Sequence, residues 1–257
     1  LVCRLLLETK KHPHHIPKRN FPCAKVRPKA AHVGQGNIGR GHRPQPRLGD
    51  ERLRAAQTAT AIAEHFRAEG RRVLLMMDSV TRYARALREI GLSVGEPAVR
   101  RGFPPSVFAE LPRLFERAGN DAHGSITAFY TVLAEDEDGS DPVAEETRSI
   151  LDGHIVLSRQ LGQAGHYPAI DVLASASRVF SRVASRPHQD AALRVRALMA
   201  KHEEIRFLLQ VGEYAPGSDR LADDAIAAQP ALQALLRQRP DEASDLHQTL
   251  AQLEQFA

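Results

Sequence analysis

Between residues 51 and 187, short apolar runs alternate with stretches in which apolar positions recur every three or four residues. Glu51 to Glu69 places Leu53, Ala56, Ala59, Ile62 and Phe66 on one face ahead of Gly70, which predicts an amphipathic helix with a glycine stop. Arg72-Val-Leu-Leu-Met-Met-Asp78 is a continuous apolar run ending in an acid, the pattern of a buried parallel strand over Val73–Asp78. Val80–Ile90 reads as a helix ending at Gly91, Gly95–Pro105 as a Gly/Pro loop, and Ser106–Ala118 as a helix kinked at Pro112. Ser125–Leu133 predicts a strand, Glu135–Asp141 an acidic loop, Ala144–Leu151 a helix, and Ile155–Leu157 and Ala169–Leu173 two more short strands. From His188 the strand signals stop; Leu198, Ile205 and Leu209 mark one helix, and Leu246, Leu250 and Leu253 another. Strands alternating with helices argue an α/β fold, a parallel sheet with helices on both faces, followed by a small helical domain.

The charge distribution divides the chain near residue 50. Residues 1–50 hold eleven Lys/Arg against Glu8 and Asp50, a net +9, which leaves −5 for the rest of a chain whose total is +4. The basic character therefore belongs to an arm, and a specific nucleic-acid role for the whole chain loses its support. Five of six lysines and both cysteines, Cys3 and Cys23, lie in the first 29 residues, and Lys10-Lys-His-Pro-His-His-Ile-Pro-Lys-Arg has neither helical nor strand period. Residues 1–50 are expected to be poorly packed or out of frame with the remainder. Gly34-Gln-Gly-Asn-Ile-Gly39 has a dinucleotide-type spacing, but no strand precedes it and no helix follows. Cys3, His12, His14, His15 and Cys23 fit no usual zinc spacing. No run approaches the ~18 apolar residues of a membrane span; a soluble, cytoplasmic protein is expected.

Chemistry concentrates at Asp78. An acid delivered to the carboxyl edge of a parallel sheet stands where such sheets bind ligands, and can hold the Mg²⁺ of a nucleotide. The usual companion is a glycine-rich loop ending in Gly-Lys-Ser/Thr. None of the six lysines is followed by Ser or Thr.

Beyond Asp78, a series of motifs carries a resemblance. Leu75-Met-Met-Asp78-Ser-Val-Thr-Arg-Tyr-Ala-Arg-Ala, Gly91-Leu-Ser-Val-Gly-Glu-Pro, Arg101-Gly-Phe-Pro-Pro-Ser-Val-Phe, Gly124-Ser-Ile-Thr-Ala-Phe-Tyr-Thr-Val-Leu, Arg148-Ser-Ile-Leu-Asp-Gly-His, Tyr167-Pro-Ala-Ile-Asp-Val-Leu-Ala-Ser and Gly212-Glu-Tyr-Ala-Pro-Gly-Ser-Asp follow one another from about Glu51 to the end. Together they resemble the protein-export ATPases of type III secretion systems, relatives of the catalytic subunits of rotary ATP synthases. Met76-Met-Asp-Ser-Val-Thr leans towards the injectisome branch over the flagellar one. The resemblance implies a RecA-like P-loop ATPase core over residues 51–187, lacking its P-loop half, and a C-terminal helical domain over 188–257. It implies ATP and Mg²⁺ as ligands of the intact enzyme and homo-hexameric rings around a central stalk protein. It also implies chaperone–substrate complexes as partners and a peripheral position at the bacterial inner membrane.

The resemblance assigns roles to three residues. Asp78 matches the Mg²⁺-site acid, acting through a metal-bound water; a structural cap is its plainer reading. Arg178 matches an arginine finger that reaches a neighbouring subunit's nucleotide, against a surface salt bridge. Tyr167 matches the adenine-stacking tyrosine of the rotary relatives, against ordinary packing. The acidic loop is either solvated or the rim of a central pore. A full family member also carries upstream a small β-barrel, the P-loop and a water-activating glutamate, none of which residues 1–50 resemble. The expectation is a truncated, catalytically inactive subunit, in which Val73–Met77 lacks at least one strand neighbour. The alternative is a non-enzymatic fragment that binds export chaperones or ring partners through its helical domain.

Overall fold

The computed structural model describes residues 23–25, 48–134 and 141–257. The remainder of the basic arm, with Cys3, His12, His14, His15 and the glycine pattern, and the acidic run Glu135–Ser140 lie outside the described residues. Two compact units result, one running up to Leu151 and one over Asp152–Ala257.

The first unit is built on a four-stranded sheet in the order β1 (Cys23–Lys25), β2 (Arg72–Met77), β4 (Ser125–Tyr130), β3 (Gly119–Asn120). β2 runs parallel to β1 and β4, and β3 is antiparallel. β2 thus has a strand on each edge, β4 along six residues and β1 along three, where the sequence suggested a missing neighbour. Val73, Leu75 and Met77 alternate onto one face, in register with Ile126, Ala128 and Tyr130. There the small side chains Ala59 and Ala63 let helix α1 (Leu48–Ala68) lie close to the sheet. Met76, on the opposite face, is 40% exposed, so a strand that reads apolar throughout is fully buried on one side only.

A second layer of this core joins Met77 to Val80, Tyr83 and Leu87 of α2 (Val80–Ser93), Val107 and Leu111 of α3 (Pro105–Phe115), and Val143 of α4 (Pro142–Ile150). The expected stop at Gly91 does not occur; α2 continues to Ser93. A Cβ at Gly91 would stand 2.8 Å from Pro104 Cγ and 3.2 Å from Ser106 Oγ. The glycine therefore admits the start of α3, and chain reversal falls to Gly95, whose φ is +91°.

The second unit opens with the antiparallel pair β5 (Gly153–Leu157) and β6 (Ile170–Ser177), separated by the short α5 (Arg159–Gln163). After α6 (Phe180–Val183) come three longer helices, α7 (Arg186–Val211), α8 (Arg220–Leu236) and α9 (Leu246–Glu254). Ala191, Val195 and Leu198 of α7 pack against Ala225 and Leu232 of α8 and Leu253 of α9. α7 ends on Gly212 with φ +74°, a left-handed cap. Asp219 caps α8 by accepting from Leu221 N and Ala222 N, and its carboxylate also receives Lys201 Nζ at 2.9 Å. The sequence marked two tail helices and missed α8, because its buried positions are mostly alanine and Pro230 reads as a break. No described helix is long and apolar enough to cross a membrane.

Candidate nucleotide site

Asp78 follows β2 directly, and its side chain is exposed at the carboxyl edge of the sheet. The β2–β4 pairing fixes its surroundings. Thr131 lies one residue past β4 and donates from its backbone N to Met77 O at 3.1 Å, while Val80 N donates to Thr131 O at 2.9 Å. The ladder thus runs on beyond both strands and brings Thr131 Oγ1 to 3.0 Å from Asp78 Oδ1. One carboxylate oxygen is oriented by this hydroxyl. The next peptide, Asp78–Ser79, is cis.

Beside Asp78 is a hollow of about 60 Å³ with a mostly apolar wall, Ala55, Ala56, Ala59, Leu75, Met76 and Met77, which Arg52, Ser79, Arg82 and Tyr83 also line. Ser79 is 5% exposed, and its Oγ has no hydrogen-bond partner among the described residues. Arg82 stands one helical turn after Asp78 and is exposed, as is Arg52 on α1. Asp78, Arg52 and Arg82 are among its lining residues, and a carboxylate beside guanidinium-bearing side chains is compatible with an anion accompanied by a divalent cation. Tyr83 contributes its ring, and burial pushes its phenol above the ordinary value. Among the described residues no three His, Cys, Asp or Glu side chains cluster as metal ligands. One carboxylate does not retain Mg²⁺, which keeps several waters and leans on substrate phosphates. Asp78 fits Mg²⁺ as one ligand, direct or through water, of an ion brought by a nucleotide.

Arg178 and Tyr167 belong to the second unit. Arg178 follows β6, its side chain is exposed, and its backbone N donates to Asp152 O at 2.7 Å. Tyr167 precedes Pro168 across a cis peptide, and its ring is 58% exposed, so it is not packed away. Its carbonyl accepts from Gln238 N at 2.9 Å.

The segment just after Arg178 is tied to the start of α7. Gln189 Nε2 donates to Ala184 O at 2.8 Å and to Ser181 O at 3.2 Å. Phe180 stands edge-on to His188, ring centroids 5.1 Å apart. His188 is 5% exposed, and its Nε2 lacks a hydrogen-bond partner among the described residues. Burial holds its imidazole below the ordinary 6.5, with Glu254 pulling the other way, and a helix N-terminus further disfavours the cation. The unfolded chain therefore takes up a proton near pH 6.5 that the folded chain resists. Stability is full above that pH and declines as pH falls below it. His166, lowered by burial and by Arg237, adds in the same direction. Unfolding midpoints measured between pH 5 and 8 should fall on the acid side, and His188→Leu should flatten the curve. An unchanged profile in His188→Leu would remove His188 from this account.

Two family models account for most of the described chain. Residues 47–177 match the nucleotide-binding domain of the ATP synthase alpha/beta family, and residues 184–255 match the C-terminal domain of the type III secretion ATPase EscN. The chain belongs to the type III secretion ATPase family. It is 62% identical over 200 residues to the type 3 secretion system ATPase of Xanthomonas euvesicatoria, a match covering 78% of this chain and 45% of that protein. Its fold superposes with a TM-score of 0.79 on the assembled ATPase EscN of the enteropathogenic E. coli type III secretion system, at 50% identity, covering 81% of this chain and 50% of EscN. EscN in complex with its central stalk EscO gives a TM-score of 0.74 at the same identity, over 81% of this chain and 50% of that one. The chain spans about half the length of the curated relatives it matches.

Within this family frame, the sequence reading missed Thr131, Arg82 and Arg52. Arg82 carried a usable signal, four residues after Asp78 at the start of a predicted helix. Thr131 and Arg52 reach the site through strand register and helix packing, which no local pattern displays.

Proposed function

We propose that this chain is the part of a type III secretion ATPase that supplies the Mg²⁺-nucleotide acid, Asp78, and the arginine finger, Arg178. In this reading it works in a hexameric ring around a central stalk, in the cytoplasm against the bacterial inner membrane. There ATP hydrolysis drives chaperone release and export of unfolded proteins. The observation that carries it is Asp78 at the carboxyl edge of β2, oriented by Thr131 and flanked by Arg82, within a chain of this family. Asp78 would hold the Mg²⁺ of a bound nucleotide, directly or through water, and Arg82 would add positive charge to that site. Arg178 stabilises charge on the γ-phosphate bound by the adjacent subunit. Tyr167, with its exposed ring, presents a face for adenine.

Phosphate binding and water activation need a P-loop and a base that the 257 residues do not contain. The chain with Mg²⁺ and ATP should therefore release phosphate no faster than buffer. Mixed with a full-length relative whose own finger arginine is replaced by alanine, it should restore turnover by lending Arg178. Turnover by the chain alone that vanishes in Asp78→Ala would overturn the first statement, and no stimulation in the mixture would overturn the second.

A further inference from the structure

The route by which β6 delivers Arg178 is irregular. His154 pairs with Ala176, and Val156 with Asp171. Between these pairs β5 has one residue, Ile155, and β6 has four, Val172–Ser175. A bulge of this kind strips ladder partners from the backbone and re-aims whatever follows it. Its carbonyls must be satisfied some other way.

All five carbonyls from Asp171 to Ser175 are met by side chains. Ser175 Oγ donates to Asp171 O. Arg196 Nη1 donates to Val172 O at 2.6 Å and Ser175 O at 3.3 Å, and Arg196 Nη2 to Leu173 O at 3.0 Å. His154 Nε2 lies 3.0 Å from Ala174 O. Asp171 Oδ1 accepts from Ala174 N at 2.9 Å. Past the bulge, pairing resumes for Ala176 and Ser177, and Arg178 N then donates to Asp152 O at 2.7 Å.

We propose that Arg196 is a positioning residue for Arg178: its guanidinium, projected from the long helix α7, holds the bulge that sets where the finger emerges. The proposal rests on the reading of Arg178 as a finger. Three carbonyls at different heights along the strand demand a planar fork with several donors. The point charge of a lysine meets at most part of that demand. A side chain fixed to a helix also fixes the bulge more firmly than one on a loop. Arg196 donates to the carbonyls of Val172, Leu173 and Ser175, so its effect on Arg178 passes through the path of residues 172–178.

The test mixes the full chain, one to one, with a full-length type III secretion ATPase whose own finger arginine is replaced by alanine, and follows phosphate release against ATP concentration. The wild-type chain should restore turnover. Arg196→Gln should lower kcat in the mixture by on the order of a hundredfold, as expected when a reacting group is displaced by about 1 Å. KM for ATP should stay unchanged, because the P-loop belongs to the relative. Arg196→Lys should recover part of the loss. Co-assembly by native mass spectrometry should match wild type, which a merely destabilised chain would not do. Stimulation by Arg196→Gln equal to wild type overturns this proposal alone. No stimulation by the wild-type chain overturns the finger assignment, and this proposal with it. If Arg196→Gln does not fold, Asp171→Ala replaces it, since that change frees only Ala174 N at the rim of the bulge. The same selective loss of kcat supports the proposal, and parental turnover overturns it.

Discussion

Arg178→Ala should abolish the ability of this chain to restore ATP turnover to a finger-deficient relative, a loss of roughly a thousandfold or more. A guanidinium at the γ-phosphate acts only while charge moves onto the transferring group, so its removal falls on kcat and leaves nucleotide binding nearly unchanged. Arg178→Lys should rescue little, because a single ammonium does not reproduce a planar fork. Asp78→Ala should be nearly silent in the same mixture, since Asp78 serves the chain's own incomplete site and not its neighbour's. Both substitutions count when residues 51–257 are joined to an intact family N-terminal half. Each then stops turnover alone, and mixing the two variants regains part of it at interfaces pairing an intact acid with an intact finger. Parental turnover with Arg178→Ala in both settings would make Arg178 structural.

What could be read from the chain depended on how local each feature is. Asp78 was legible because its signal is contiguous, an apolar strand ending in an acid. Arg178 was not legible in that way. Nothing in Ala174-Ser-Ala-Ser-Arg distinguishes it from a surface arginine, and its role was suggested only by resemblance. Thr131 is 53 residues from the carboxylate it orients, and the register that joins them appears only when β2 and β4 pair. The same holds for Arg196, whose three carbonyls lie 21 to 24 residues earlier. Gly91 was misread for a related reason. In sequence a glycine after a helical pattern signals a stop, whereas here the missing side chain accommodates Pro104, thirteen positions on by count and in contact by packing.

Gly124→Ala should destabilise the first unit by about 3 kcal/mol, the upper range for forced overpacking. A Cβ at Gly124 would fall against the carbonyl oxygens of Arg67 and Arg71, with Arg71 N at 3.1 Å. Those atoms are backbone, where α1 turns into β2, so no side chain can swing aside. The same turn is pinned from several directions. Ser125 N donates to Arg71 O at 3.1 Å, Asp121 Oδ1 accepts from Gly124 N at 2.7 Å and His123 N at 2.8 Å, and Arg67 pairs with Asp121 at 3.0 Å. Relief therefore has to come from moving the start of β4 along or away from β2. A slip of one residue would turn every β4 side chain to the other face and carry Thr131 away from Asp78. Thermal unfolding should show a midpoint lower by about 10 °C for a chain of this size. Gly162→Ala serves as the control. There the added Cβ meets only Ala169 Cβ at 3.8 Å and Tyr167 Oη at 3.9 Å, ordinary contacts on a helix, and the change should be neutral or slightly stabilising. Equal midpoints for Gly124→Ala and wild type would mean that β4 is not seated against that turn, and the register that orients Asp78 would lose its anchor.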